Sequence, residues 1–304
     1  MLWYERFDQS ISDELPDLSV AREEPLSRHS SFRIGGPARR MAFPASADQL
    51  THTVELGERC GTNPLILGNG TNVLFPDEGL DRLVINTRDL CRMELTGACD
   101  LMAEAGLSLA RVAVFAQQNG LTGLEFAHGI PGSVGGAVCM NAGAYGGEMK
   151  DVLAGASVFF PGEGVRYLTV EELNLGYRHS LLTDRPDAVV IYGVFRLQKG
   201  DPVAIRGRME ELMQRRKASQ PLEYPSAGST FKRPTGYFAG ALIEQAGLKG
   251  LTVGGAQVST KHAGFVINIG EATCADVLEL IRQVQERVMA TAGVELEPEV
   301  RIIR

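Results

Sequence analysis

Residues 122–147 read TGLEFAHGIPGSVGGAVCMNAGAYGG, and the reading of the rest of the chain depends on them. Eight of these residues are glycine, and no charged side chain stands between His128 and Glu148. Pro131, set between Ile130 and Gly132, fixes one φ and forces a turn. Gly129, Gly132, Gly135 and Gly136 leave backbone with almost nothing projecting from it, interrupted only by small residues such as Ser133. Such backbone permits positive φ and close approach by another group. Its N–H groups can also hold an anion without lysine or arginine. The spacing points to a cradle for the diphosphate of a bulky nucleotide cofactor, continued by Asn141, Gly143 and Ala144 in a second glycine cluster. A tightly packed loop of small residues is the competing account.

A second glycine turn lies upstream, where the apolar run 65–67 enters Gly68, Asn69, Gly70, Thr71 and Asn72. It is not a dinucleotide fingerprint of the GxGxxG type, because position 73 is valine and no long helix follows. No GxxxxGK[ST] phosphate loop occurs anywhere. Thr71 and Asn72 can donate side-chain hydrogen bonds to phosphate or ring oxygens.

The 304 residues suggest two or three domains, and a formal net charge of -7 argues against nucleic acid or an anionic membrane as the main partner. The N-terminus lacks a basic then apolar signal pattern, and no apolar run approaches the roughly 20 residues of a membrane span. Five scattered cysteines suggest reduced thiols in a cytoplasmic protein. With no CxxC or HExxH, no metal site is expected.

Along the chain, residues 1–27 are expected to be an N-terminal arm without assigned chemistry. Capping signals predict helices from Ser46 with Gln49, from Ser108, from Thr169 with Glu172, and from Thr273 to Gly293. Asp201 and Pro202 open a charged helix taken as the entry to a separate domain. The last strand is expected over 295–304. The expected domains are therefore 28–86 and 87–200 for the cofactor and 201–304 for the substrate, in an α+β chain.

The motifs SFRIGGPA, LGNGTNVLF, GLEFAHGIPGSVGGAVCMNAGAYGGE, YRHS, YPSAGSTFKRP and LEPEVRI occur in this order over residues 31–302. Together they resemble the UDP-N-acetylenolpyruvoylglucosamine reductase family, also called UDP-N-acetylmuramate dehydrogenases, in the shorter type that lacks an extra tyrosine-bearing loop. The resemblance implies a vanillyl-alcohol-oxidase type of FAD fold in two subdomains, and a third domain that closes over a UDP-sugar. It implies that NADPH reduces FAD and that hydride from flavin N5 reduces the enolpyruvyl ether, giving UDP-N-acetylmuramate for peptidoglycan.

The resemblance also implies three catalytic residues. Ser229 matches the proton donor, although alone it reads as a turn residue. Arg178 matches the arginine that polarises the substrate carboxylate, for which its planar fork is suited. Glu299 matches an acid on the other side of that carboxylate. For the diphosphate and sugar, Tyr224, Lys232, Arg233, Lys249, Lys261 and His262 lie in matching stretches, each singly as plausible as a solvated surface residue. The chain departs from the family at Ser219, where a lysine is usual, and Lys217 is left open as a replacement. Another FAD oxidoreductase acting on a hydroxy acid or alcohol is the alternative, but it has no reason to carry YRHS, AGSTFK and EPEV together. A non-catalytic nucleotide-binding module would tolerate loss of the three catalytic residues, all of which are present.

Overall fold

The computed structural model describes all 304 residues. They form two compact units, each assembled from separate stretches. Residues 1–23, 39–69 and 82–214 make the first, and residues 24–38, 70–81 and 215–304 the second.

The first unit contains a five-stranded antiparallel sheet in the order Gly164–Thr169, Leu153–Phe160, Val189–Arg196, Asp100–Glu104 and Met93–Leu95. All but one residue of Leu153–Phe160 is buried, consistent with its nearly continuous apolar sequence. The helix Leu109–Gln118 and the short helix Val134–Cys139 contribute Val112, Ala116, Val134 and Val138 to the same core. The first of these starts as predicted, with Ser108 Oγ accepting the Arg111 N–H. Elsewhere in this unit Leu65–Leu67 runs parallel to Leu80–Asn86, with Leu65 opposite Val84.

Residues 1–27, expected as an N-terminal arm, begin with a helix packed into the first unit. The helix Trp3–Glu14 buries Phe7 completely, in a core shared with Leu50 and Val54 of the helix Ala47–Arg59. Asp8, on the same helix, takes two hydrogen bonds of 2.7 Å from the Arg40 guanidinium. A bidentate pair in such a partly buried setting fixes the helix in place.

The helix Pro202–Ser219 begins as expected, with the Asp201 carboxylate accepting from the Val203 and Ala204 N–H groups. Its first part does not open a new domain, however. Ile205, Met209 and Leu212 share one helical side and are buried in the first unit's core. That unit therefore runs to residue 214 instead of ending at the expected 200. Similarly, residues 28–38 and 70–81, expected in the first cofactor subdomain, belong to the second unit. There Phe32, Ile34 and Leu74 pack with Val266, Leu280 and Val284.

The second unit carries an antiparallel sheet in the order Ser226–Ser229, Phe265–Asn268, Ala256–Val258 and Thr252–Val253. The helices Ala239–Gln245 and Cys274–Ala292 pack Leu242, Ile243, Val277 and Ile281 into its core. Thr273 caps the longer one and Gly293 ends it at φ +66°, as the sequence predicts. The expected terminal strand shortens to Arg301–Ile302, which pairs parallel with Val73–Leu74. Pro298 has no N–H to contribute to a longer ladder.

Candidate active site

The glycine stretch of the first unit is not one loop. Val134–Cys139 is a six-residue helix, and Gly143–Ala144 pairs with Gly147–Glu148 across a turn in which Tyr145 and Gly146 both have positive φ. The Gly135 N–H donates to Ala105 O at 2.9 Å and the Gly136 N–H to Ser133 Oγ at 3.4 Å. These two amides are thus engaged within the fold, and their glycines serve the cradle by their lack of bulk. A Cβ on Gly135 would lie 3.1 Å from Ala105 Cβ.

The first unit also brings the two glycine turns together. A Cβ on Gly68 would lie 2.2 Å from Ser133 Oγ, and Asn69 Nδ2 donates to Pro131 O at 3.0 Å. Gly136 is different. Its φ is not positive, and a Cβ there would meet only Ser133 Oγ at an ordinary 3.5 Å. Neither backbone strain nor internal packing calls for glycine at that position, whereas close approach of a group from outside the chain does. His128 adds an orphaned buried atom to the same stretch: its Nδ1 has no hydrogen-bond partner, and burial pushes the imidazole below its ordinary range. The bared helix start and the unsatisfied nitrogen both fit a large polar cofactor. The sequence reading missed His128, although a lone histidine in an otherwise charge-free glycine run is a visible signal.

Arg178 occupies a tight turn in the same unit. Gly176 and His179 exchange main-chain hydrogen bonds of 3.0 and 3.3 Å, and Arg178 between them has φ +54°. A non-glycine residue in the left-handed region costs on the order of 1–2 kcal/mol and must be held by its surroundings. Its guanidinium carbon lies 5.3 Å from the centre of the Tyr177 ring. Asn141, expected to contact the cofactor, is committed elsewhere. It is 1 % exposed, and its amide donates to Glu148 Oε2 at 2.8 Å and to Gly176 O at 3.0 Å. Its carbonyl oxygen accepts the Lys150 N–H at 2.9 Å.

The second unit joins two of the expected catalytic residues. Ser229 is exposed and ends a strand whose register shifts between Ser226 and Ser229. A bulge of this kind re-aims a side chain. The preceding Gly228, at φ +77°, has nothing within 4 Å of where a Cβ would stand. The carbonyl of the next residue, Thr230, accepts the Glu299 N–H at 2.8 Å, and Thr230 Oγ1 accepts the Val266 N–H at 2.9 Å. Asn72 Nδ2 donates to the Glu299 carbonyl at 3.2 Å. Gly70, at φ +61°, tolerates no side chain, because a Cβ would lie 1.9 Å from His29 O.

The cations expected at the substrate are mostly paired. Lys232 bonds to Glu297, Lys249 Nζ lies 2.6 Å from Glu244 Oε1, and Lys261 Nζ donates to Lys217 O at 2.8 Å. Arg233 stacks on Phe238, 3.9 Å from the ring centre. The exposed pairs of Lys232 with Glu297 and Lys249 with Glu244 are worth roughly 0–1 kcal/mol each, so an incoming diphosphate can displace those two carboxylates. Tyr224 is exposed. His262 is packed edge-on against Phe265, and its Nδ1 accepts the Gly264 N–H at 3.1 Å. Burial, aided by Lys249, holds its imidazole below the ordinary range.

The bared turns and the sheet that carries them define an FAD-binding protein, and a family model described as an FAD binding domain matches residues 38–167. A second model, the C-terminal domain of UDP-N-acetylenolpyruvoylglucosamine reductase, matches residues 220–303. The reductase of Pediococcus pentosaceus is 48% identical over 97% of this chain and 98% of its own length. That of Agathobacter rectalis is 48% identical over 98% of both. A crystal structure of the Thermus caldophilus reductase superposes with a TM-score of 0.81 at 36% identity, covering 94% of this chain and 99% of the other. The chain belongs to the UDP-N-acetylenolpyruvoylglucosamine reductase family. It has that family's reductase activity in peptidoglycan precursor synthesis, with FAD as cofactor, NADPH as reductant and a UDP-sugar as substrate. None of its helices is long and apolar enough to cross a membrane.

Proposed function

We propose that Ser229, Arg178 and Glu299 are the groups through which this chain reduces UDP-N-acetylglucosamine enolpyruvate to UDP-N-acetylmuramate. Bound FAD would supply the hydride chemistry that links NADPH to the terminal carbon of the enol ether. The Arg178 guanidinium grips the substrate carboxylate and stabilises the negative charge that develops beside it. Glu299 acts on the same carboxylate, and two acids so placed require that one carry a proton or be screened by the arginine. Ser229 Oγ then gives its proton to the carbon next to the carboxylate. Gly68, Asn69, Gly70, Thr71 and Asn72 with the 129–136 turn hold the cofactor. Tyr224, Lys232, Arg233, Lys249, Lys261 and His262 hold the UDP-sugar. The same reading makes the protein a cytoplasmic enzyme of the shorter family type, with no nucleic acid, membrane or metal among its partners.

The observation that carries this reading is the exposed Ser229 at a strand bulge, one residue from the carbonyl that fastens Glu299. The test separates the two half-reactions under anaerobic conditions. In Ser229→Ala, bleaching of the flavin by NADPH should survive, while recolouring by the enolpyruvyl UDP-sugar slows by about 10²- to 10⁴-fold. Equal slowing of both steps would make Ser229 a structural residue.

A further inference from the structure

Nothing in the resemblance gives Asn141 a role apart from the cofactor, yet its hydrogen bonds point away from any ligand. Both donors of its amide and one acceptor site of its oxygen are taken by protein groups, and the side chain is almost wholly buried. An asparagine so satisfied has no donor left to offer a cofactor. What it does hold is the turn that carries Arg178. Asn141 Nδ2 donates to the Gly176 carbonyl, which also accepts the His179 N–H that closes the turn. On the other side, Ser180 Oγ donates to Cys139 O at 2.6 Å while accepting the Leu182 N–H at 3.1 Å. The segment Gly176–Ser180 is thus tied at both ends to the chain just before the second glycine cluster. Asn141 can take this place because it too is left-handed, at φ +41°, which asparagine tolerates better than most residues.

We infer that Asn141 is a positioning residue for Arg178: it fixes the strained turn so that the guanidinium is presented in one orientation. The inference rests on the role proposed for Arg178. Without this bond the turn keeps its own closure and the Ser180 and Thr183 ties but loses its hold on the Gly176 carbonyl, so its left-handed geometry is less firmly opposed and the guanidinium can shift from its place. A misplacement of about 1 Å by a remote change can cost on the order of 10²-fold in rate.

The test uses Asn141→Gly, because glycine keeps the left-handed backbone and removes only the side chain. The FAD-loaded variant should retain its flavin and its rate of bleaching by NADPH. Its recolouring by the enolpyruvyl UDP-sugar should slow by about 10- to 100-fold. A double-mutant cycle with Arg178→Ala provides a readout that a merely structural residue would not move. The double variant should be no slower than Arg178→Ala alone, since the bond acts only through that arginine. Additive losses would overturn the inference, as would an unchanged recolouring rate or loss of flavin from Asn141→Gly. If Arg178→Ala itself recolours at the parent rate, the reading of Arg178 fails and the positioning role falls with it. Slowing by Arg178→Ala but not by Asn141→Gly would overturn the positioning role alone.

Discussion

In each compact unit an asparagine next to a glycine turn or cluster bonds to the backbone at or near an acidic or basic candidate, but the two fastenings differ in kind. In the first unit Asn141 holds the Gly176 carbonyl, and the Arg178 turn has no strand pairing beyond its own two-residue closure. In the second unit Asn72 holds the Glu299 carbonyl, and Glu299 is secured by the main chain as well. Its N–H goes to Thr230 O at 2.8 Å, and the Arg301 N–H goes to Asn72 O at 3.1 Å. A carboxylate on a backbone ladder can lose a side-chain tie cheaply. A guanidinium on a left-handed turn loses more, because the tie is one of the few that oppose relaxation of a strained backbone.

The largest difference should come from the glycines. Gly70→Ala places a Cβ against a main-chain oxygen and forces a left-handed alanine. Strain and overpacking together should destabilise the protein by about 2–5 kcal/mol. Gly136→Ala meets no such obstacle and, in a helix, should leave the thermal midpoint unchanged or slightly raised. If Gly136 is bare for the cofactor's sake, the flavin affinity of this variant should nevertheless fall by about tenfold or more, or roughly 1.4 kcal/mol. Thermal unfolding and a titration of flavin absorbance measure the two effects separately. Unchanged affinity in Gly136→Ala would remove the argument that its missing side chain makes room for FAD.

A smaller effect is expected from Asn72→Ala. With the Thr230 and Arg301 bonds still in place, recolouring by the enolpyruvyl UDP-sugar should slow by no more than about tenfold, close to the net value of one hydrogen bond. That is less than the loss expected for Asn141→Gly. The same anaerobic assay compares the two variants directly, and a loss in Asn72→Ala equal to that in Asn141→Gly would erase the distinction between ladder and turn.

Much of this architecture was legible from residues with a local signature. Ser108, Thr169, Asp201 and Thr273 cap the helices expected of them, and Gly293 ends the last one. The motif order pointed to the family. The division into units was not legible, because it follows from side chains meeting across long separations. Ile205, Met209 and Leu212 read as one apolar side of a helix, and nothing local says which core receives that side. Phe7 and Leu74 are similar cases: each is an ordinary apolar residue whose partners lie far along the chain. At the site, glycine density indicated where a cofactor could approach. It did not reveal that the Gly135 and Gly136 amides are engaged internally, or that Asn141 faces a neighbouring turn. Those facts depend on hydrogen-bond partners up to 35 residues away.

A pH-dependent effect concerns two half-buried histidines, one in each unit. Burial lowers the pKa of both His128 and His262 from the ordinary 6.5, so folding favours their neutral forms. The unfolded chain therefore binds more protons than the native one once the pH falls below about 6.5. The stability these groups contribute is present in full above that value and is lost as the pH falls from 6.5 toward the lowered folded values. The two should respond differently to replacement, however. His262 Nδ1 accepts the Gly264 N–H, so His262→Leu leaves an amide without its partner and should cost about 1–3 kcal/mol even at pH 7.5. His128 Nδ1 has no partner to lose, so His128→Leu should be nearly neutral at pH 7.5 and should lose less stability than the parent on going to pH 5.5. Urea midpoints of the flavin-free protein at the two pH values measure this difference. A His128→Leu protein with the parent's full acid loss would show that protonation of His128 is not part of it.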